Sequence, residues 1–385
     1  MRFADNRNKI GKYIPAVVFL IFIYGMALWF IFSPKPDYSS SEKRYLQKFP
    51  EVTAEKLLSG DFGSEFESFF ADRFPQRNTW VGLNAYTALA EGNNGASGVY
   101  NCKNGYLINK PVSTENNLDK NIGAVADFAK SIDTPTTVML VPSTGYIVDD
   151  VLPTFHDKYN DDEDISKIFS TLSKDKIGFV DLRERFKSEY KNGSQLYYKT
   201  DHHWTTKGAY TGYQELCKAL GITPIDDSTL KKDSYPDFYG TTYSSSGFWL
   251  TPPDNIEIWN NPKNSDRNIS VKITEGANIK TSGSMYFTDH LKEDDKYPVF
   301  IDGNHALTEI TNTNAKNGTI LLIKDSFSHS LAPFLAENYS KVVLVDLRYY
   351  KESVSDLVTT YNPEQVVVLY GIDNLATDTD IVWLK

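Results

Sequence analysis

The chain has 385 residues, with 40 lysines and arginines against 50 aspartates and glutamates and a formal net charge of −10. That length can bury a large core and argues against a small binding module, and an acidic chain without a basic stripe is not built to track a phosphate backbone, so no nucleic acid is expected as a partner. The two cysteines, Cys102 and Cys217, are too few for a disulfide scaffold or a cysteine metal site, and no bridge between them is expected.

No charged residue occurs from Tyr13 to Pro34, and the run Ile14 to Phe32 is apolar almost throughout. At roughly 20 residues it is long enough to span a bilayer. Arg2, Arg7, Lys9 and Lys12 precede it, which places the N-terminus in the cytoplasm, although Lys35, Lys43 and Arg44 on the far side weaken the bias. A cleaved signal peptide is the competing reading; the run is longer than the usual apolar region of such peptides and lacks a small-x-small site at its end. The expected plan is therefore a cytoplasmic segment 1–12, a transmembrane anchor 13–34, a linker and helical arm 35–95, and a main domain 96–385 lying outside the cell membrane. Two prolines and four serines between Ser33 and Ser41 cannot continue a helix and make a short linker. The arm reads as helical in patches, with Phe62, Phe66, Phe69, Phe70 and Phe74 spaced by one or two turns.

The main domain opens on a predicted hairpin, Gly98-Val99-Tyr100 and Gly105-Tyr106-Leu107-Ile108 around an Asn104-Gly105 turn. Apolar runs then recur between helical stretches at 137–141, 177–181, 320–323, 342–345 and 366–370, the pattern of a parallel sheet buried on both faces. Cys217 falls on a predicted helix with Ala209, Tyr213, Leu216 and Leu220 and reads as core. A stretch at about 235–317, rich in Gly, Ser, Thr, Asn and aromatics, breaks this rhythm and reads as a β-rich insertion near the mouth of the site. Aromatics in polar contexts, such as Tyr197, Tyr198, Tyr239, Tyr243, Trp249 and Trp259, serve a core or stack on sugar faces, and lend weak support to a carbohydrate ligand.

Chemistry concentrates in Lys199-Thr200-Asp201-His202-His203-Trp204, which packs an acid and two of six histidines into three consecutive positions. A carboxylate against an imidazole fixes its tautomer and makes it a general base for a serine. In an extended segment Asp201 and His203 would share one side and His202 the other, with His202 bonded to backbone or a helix cap. Zinc bound by Asp201, His202 and His203 with Asp325 or His329 is the rival, although adjacent histidines rarely point at one ion. The serine is Ser326: Thr319 to Lys324 reads as a buried strand, Asp325-Ser326 as a turn, and Phe327 onward as a helix, so the Ser326 amide would sit where backbone donors and the helix dipole favour an oxyanion. An N-cap is the alternative use of Ser326, and Asp325 is left to cap or orient. Arg348 and Tyr349, after the next strand, are expected to bind substrate, with a surface salt bridge the alternative for Arg348. In an open α/β sheet Ser326, Arg348 and Pro142-Ser143-Thr144 all fall at carboxyl strand ends.

Asp201-His202-His203-Trp204, with Asp72-Arg73-Phe74-Pro75-Gln76-Arg77 upstream and Lys324-Asp325-Ser326-Phe327 downstream, resembles the DHHW-motif family, related to the alginate O-acetyltransferases of the SGNH-hydrolase-like superfamily. The resemblance covers nearly everything after the anchor. In those enzymes an Asp-x-His pair precedes the serine, the reverse of the usual SGNH order, and Asp201-x-His203 before Ser326 matches it. The resemblance implies an α/β fold with an SGNH-like parallel sheet flanked by helices, and a serine acyl-enzyme with Ser326, His203 and Asp201 catalytic. No cofactor is expected, and no metal, because neighbouring histidines rarely point at one ion. An exopolysaccharide or cell-wall glycan would be the acceptor, and a membrane-bound O-acyltransferase the partner that delivers acetyl. The usual SGNH glycine and asparagine blocks have no match in this order, leaving Asn101, Asn104 and Asn304 as candidates for a second oxyanion donor. A carbohydrate acetyl esterase and a non-catalytic polysaccharide-binding subunit are the alternatives.

Overall fold

A computed structural model describes residues 12–112, 117–175 and 177–384 and divides into two compact units, 1–87 and 88–385. In the first unit the apolar run forms helix α1 (Ile14–Phe32), with no residue buried and a length and composition sufficient to cross a membrane or serve as a signal anchor. Arg2, Arg7 and Lys9, on which the orientation argument partly rests, lie outside the described residues. The predicted linker carries a two-residue antiparallel pairing, Tyr38–Ser39 with Arg44–Tyr45. Helices α2 (Ala54–Ser59), α3 (Asp61–Asp72) and α4 (Arg77–Ala90) form the predicted arm, α4 running across the boundary between units. On the α3 side Phe62, Phe66 and Phe69 gather around Phe49 with ring centroids 5.4–6.5 Å apart. Asp72 ends α3 and accepts Arg44 Nη1 at 2.9 Å and the Gln47 amide at 2.8 Å, while Arg73 Nε reaches the Gln47 carbonyl at 3.0 Å.

The second unit is a mixed α/β domain around an eight-stranded sheet. Its strands are β1 (Thr136–Val141), β2 (Gly178–Asp181), β3 (Ile269–Glu275), β4 (Asn278–Ser282), β5 (Leu307–Asn312), β6 (Asn317–Lys324), β7 (Tyr339–Val345) and β8 (Gln365–Gly371), in the order β4-β3-β5-β7-β6-β8-β1-β2. The five predicted strands are the parallel part: β7, β6, β8, β1 and β2 pair parallel to one another. The rest differs from an all-parallel sheet, because β5, β3 and β4, from the stretch read as an insertion, continue it as antiparallel strands beyond β7. Period-two alternation splits the core across the sheet. Ile320, Leu322, Val342, Leu344, Val367 and Leu369 pack on one face with α7 (Thr206–Leu220) and α8 (Ser328–Leu335). Leu321, Ile323, Val343, Val345, Val366 and Val368 pack on the other with α5 (Leu118–Ser131), α6 (Asp161–Leu172), α9 (Val354–Tyr361) and α10 (Ile372–Thr377).

The predicted hairpin is present: Val99–Asn101 pairs antiparallel with Leu107–Asn109, and Asn104 and Gly105 take φ of +58° and +77°, the left-handed turn that this dipeptide favours. Both cysteines are free and buried, Cys217 on the inner face of α7. The crossovers leave the ends of β6, β8, β1 and β7 on one rim, followed respectively by Ser326, Asn374, Ser143 and Arg348.

Candidate active site

Residues 197–204 turn back on themselves: Tyr197 bridges Trp204 antiparallel, and the Tyr198 N–H donates to the His203 carbonyl at 3.2 Å. Between them the chain bends and is not extended, which corrects the alternation expected for Asp201, His202 and His203. The cause is the short acidic side chain: Asp201 Oδ1 accepts the His203 backbone N–H at 2.8 Å, closing a local turn, and the same oxygen accepts His203 Nδ1. The two imidazoles consequently lie side by side, centroids 3.8 Å apart, and His202 Nδ1 meets the Thr241 hydroxyl at 2.7 Å in place of backbone or a helix cap.

His203 Nε2 stands 2.7 Å from Ser326 Oγ across 123 residues of chain. With Nδ1 donating to a carboxylate, Nε2 is the acceptor and the Ser326 hydroxyl the donor. The three residues are 1%, 4% and 9% exposed for Asp201, His203 and Ser326, which keeps bulk water from screening the relay. Asp201 Oδ2 accepts the Thr241 N–H at 2.7 Å and the Thr241 hydroxyl at 3.2 Å. Burial alone would raise the Asp201 pKa; the charges of His203 and His202, with the hydrogen bonds from His203, hold it well below the usual carboxylate range. His202 is also shifted down, to about 4, by burial and then by the charge of His203, so it is neutral at physiological pH. Ligand atoms of Asp201, His202 and His203 do lie within 4.8 Å of one another, but His203 commits one nitrogen to Asp201 and the other to Ser326. As folded it has no lone pair to offer a metal.

The turn that carries Ser326 is fastened on every side. Asp325 Oδ1 accepts the Phe327 N–H at 2.9 Å, and Oδ2 accepts the Gly371 N–H at 2.8 Å and Asn374 Nδ2 at 2.7 Å, tying the end of β6 to the end of β8. Asp325 thus orients the turn. Burial raises its pKa even so, with these donors working against the rise. Helix α8 begins at Ser328 with Phe327 at its N-cap, and Ser326 turns its hydroxyl to His203 instead of capping it. No acceptor takes the Ser326 N–H among the described residues. Trp204 explains its place in the motif: its indole N–H lies 3.0 Å from the Phe327 carbonyl and 2.9 Å from Ser330 Oγ, so one residue holds both the histidine bend and the serine turn.

Three contributors carry no local signal in the sequence. Tyr297 lies flat on His203, centroids 3.9 Å apart and planes 10° apart, and its hydroxyl donates to the Ser326 carbonyl at 3.2 Å. Thr241 supplies the donors that fix Asp201. Gly240 is needed for close approach, because a Cβ there would run into the Asp201 side chain. Replacing Gly240 with alanine is therefore expected to displace Asp201, costing about 1–3 kcal/mol by overpacking and on the order of 10²-fold in turnover by misplacing the base; thermal melting and ester turnover measure both.

Beneath the turn, Lys324 Nζ donates to Asp346 Oδ2 at 2.8 Å and to His329 Nε2 at 2.9 Å. The ammonium has only donors, so His329 carries its proton on Nδ1, which has no partner among the described residues. Arg348 does not reach freely outward: Nε and Nη2 bind Asp346 at 2.9 and 2.6 Å and Nη2 binds Asn304 Oδ1 at 2.8 Å, while Tyr349 is 51% exposed. Of the suggested second oxyanion donors, Asn304 is held by Arg348 through its acceptor Oδ1, and Asn101 and Asn104 belong to the hairpin. Asn374, at the end of β8 beside Asp325, was not singled out; the signal available was its place three residues after Gly371 at a carboxyl strand end.

The sequence model of the DHHW protein family matches residues 106–345. The chain belongs to the DHHW family. Among solved structures, a DHHW family protein from Eubacterium siraeum DSM 15702 is similar with a TM-score of 0.63 at 17% identity, covering 75% of this chain and 95% of that one. Bacillus cereus PatB1 is similar with a TM-score of 0.60 at 21% identity, covering 73% of this chain and 98% of its own, and PatB1 with a sulfonyl adduct gives 0.60 at 20% identity over 74% and 97%. At these identities the likeness speaks for the fold, a mixed α/β domain shared by the DHHW protein and its neighbours. A search of curated proteins finds no match.

Proposed function

We propose that this DHHW protein transfers acetyl groups to hydroxyls of an exopolysaccharide or cell-wall glycan through an acetyl-serine intermediate. The observation that carries the reading is the buried Asp201–His203–Ser326 relay, with Ser326 Oγ 2.7 Å from His203 Nε2. In the first half-reaction Ser326 Oγ attacks the acetyl carbonyl of the donor and passes its proton to His203 Nε2. The Ser326 N–H stabilises the oxyanion, Asp201 stabilises the imidazolium, and His203 returns the proton to the departing donor oxygen. In the second, a sugar hydroxyl gives its proton to His203 and attacks the acetyl-serine; collapse expels Ser326 Oγ, which recovers a proton from His203. Arg348 and Tyr349 stand at the rim as substrate-binding residues, Arg348 acting through the Asp346–Asn304 network that holds it. The apolar α1 serves as a single-pass anchor in the cell membrane with residues 35–385 outside the cytoplasm, facing a membrane-bound O-acyltransferase that supplies acetyl.

Burial of the relay favours transfer over hydrolysis, since water must be kept from the acetyl-serine until the sugar arrives. The test is to offer the protein a chromogenic acetyl ester with and without envelope glycan fragments and to follow acetate release and glycan mass together. Gain of acetyl on the glycan at the expense of free acetate supports transfer. Acetate release indifferent to glycan identifies an esterase, and no turnover of any ester favours a non-catalytic glycan-binding subunit.

A further inference from the structure

Beside the nucleophile turn, the ends of β1 and β8 enclose a cavity of about 50 Å³ whose lining includes His202, Phe327, Ser143, Thr242, Asp373 and Asn374. A water needs roughly 10–15 Å³ by a comparable measure, so the cavity has room for a few water-sized groups, the scale of one hydroxyl-bearing edge of a sugar ring. Its polar lining is one-sided. Asp373 Oδ1 accepts the Ser143 hydroxyl at 3.0 Å, and Asp161 Oδ1, directly behind, accepts the Ser143 N–H at 2.7 Å. Neither carboxylate has a salt bridge among the described residues, and burial raises Asp161 to about 7 and Asp373 to about 6. Arg348, whose charge is felt at His202, is already paired with Asp346. Thr242 is 2% exposed and lines the same cavity, and its hydroxyl is buried without a partner among the described residues; a χ1 turn toward the cavity would give it one on a ligand.

A cavity that offers carboxylate oxygens and an unpartnered hydroxyl, without a cation, pairs well with hydroxyl or ammonium donors and badly with a second carboxylate, which would be buried against like charge. We propose that this cavity is the acceptor subsite and that it takes the hydroxyl-bearing edge of an uncharged or amino sugar and excludes a uronate. The proposal rests on the acetyl-transfer reading for the word acceptor, but the preference itself is a binding property.

The test is calorimetric titration of the full chain in detergent with tetrasaccharides of glucose, of glucosamine and of galacturonic acid, for wild type, Asp373→Asn and Thr242→Val. The side-chain amide introduced by Asp373→Asn can still accept the Ser143 hydroxyl through its oxygen, and Thr242→Val removes a hydroxyl that has no partner among the described residues, so both variants are expected to fold; thermal melts check this. The expected result is at least tenfold tighter binding of the glucose or glucosamine oligomer than of the galacturonate, with Asp373→Asn narrowing that gap about tenfold and Thr242→Val weakening the preferred oligomer about fivefold. Equal or tighter binding of galacturonate, wild-type behaviour of both variants, or no binding of any oligomer at millimolar concentration overturns the proposal. Formation of acetyl-Ser326 is read separately: the expected binding order without the adduct counts against acetyl transfer alone, and the adduct without that order counts against the subsite alone.

Discussion

Ser326→Ala is expected to lower turnover of a chromogenic acetyl ester by on the order of 10⁴ to 10⁶-fold, with residual catalysis coming from the oxyanion donor and substrate binding. The size follows from what the hydroxyl does. It is the atom 2.7 Å from His203 Nε2, and its removal leaves the base with nothing to activate but water. Loss should appear in kcat, because the alanine leaves the Asp325, Trp204 and Tyr297 contacts of the turn in place. Turnover retained within tenfold would show that another residue is the nucleophile.

Asp201→Asn is expected to cost about 10⁴-fold in kcat with little change in KM, through the tautomer of His203. All the hydrogen bonds at Asp201 come from donors: the His203 N–H and Nδ1 on one oxygen, the Thr241 N–H and hydroxyl on the other. An asparagine amide must turn its NH₂ toward one of these pairs. Turned to His203, it places a donor against Nδ1 and moves the imidazole proton to Nε2, so Ser326 meets a donor where it needs an acceptor. Turned to Thr241, it opposes a backbone N–H that cannot change role, and the bend loosens. Either way the loss exceeds that of one neutral hydrogen bond. Since Asp201 is held well below the usual carboxylate range, it should stay ionised, and keep orienting His203, to lower pH than a free aspartate would; a pH–rate profile of ester turnover checks this.

The parts of this fold that were legible are those whose physics is local. The five parallel strands are continuous apolar runs because both faces are covered, and such runs stand out from amphipathic helices. Ser326 was legible as the junction of one such strand with a helix. Of the antiparallel strands only β3 alternates, with Ser270, Lys272 and Thr274 between buried Ile269, Val271 and Ile273; β4 is exposed and β5 mostly buried, and all three sit in polar sequence, so β character could be read there but not the continuation of the main sheet. The bend at 200–203 departs from the expected alternation because alternation applies only to a chain that is extended, and a single carboxylate bonding a backbone N–H two residues on is enough to end that. Tyr297, Thr241 and Asn374 leave no mark in the local sequence because each acts across a long stretch of chain. No spacing rule connects Tyr297 with a histidine 94 positions before it, although packing stacks the two rings 3.9 Å apart.

In the proposed reaction Ser326 carries the acetyl group. The most direct test is peptide mass spectrometry of protein quenched in acid within the first turnovers of an acetyl ester, comparing wild type with Ser326→Ala and His203→Ala. One added acetyl is expected on the peptide containing Ser326 in wild type, none there in Ser326→Ala, and slow accumulation in His203→Ala. Ester turnover with no acetyl on that peptide, or acetylation of it that survives loss of the Ser326 hydroxyl, would contradict it.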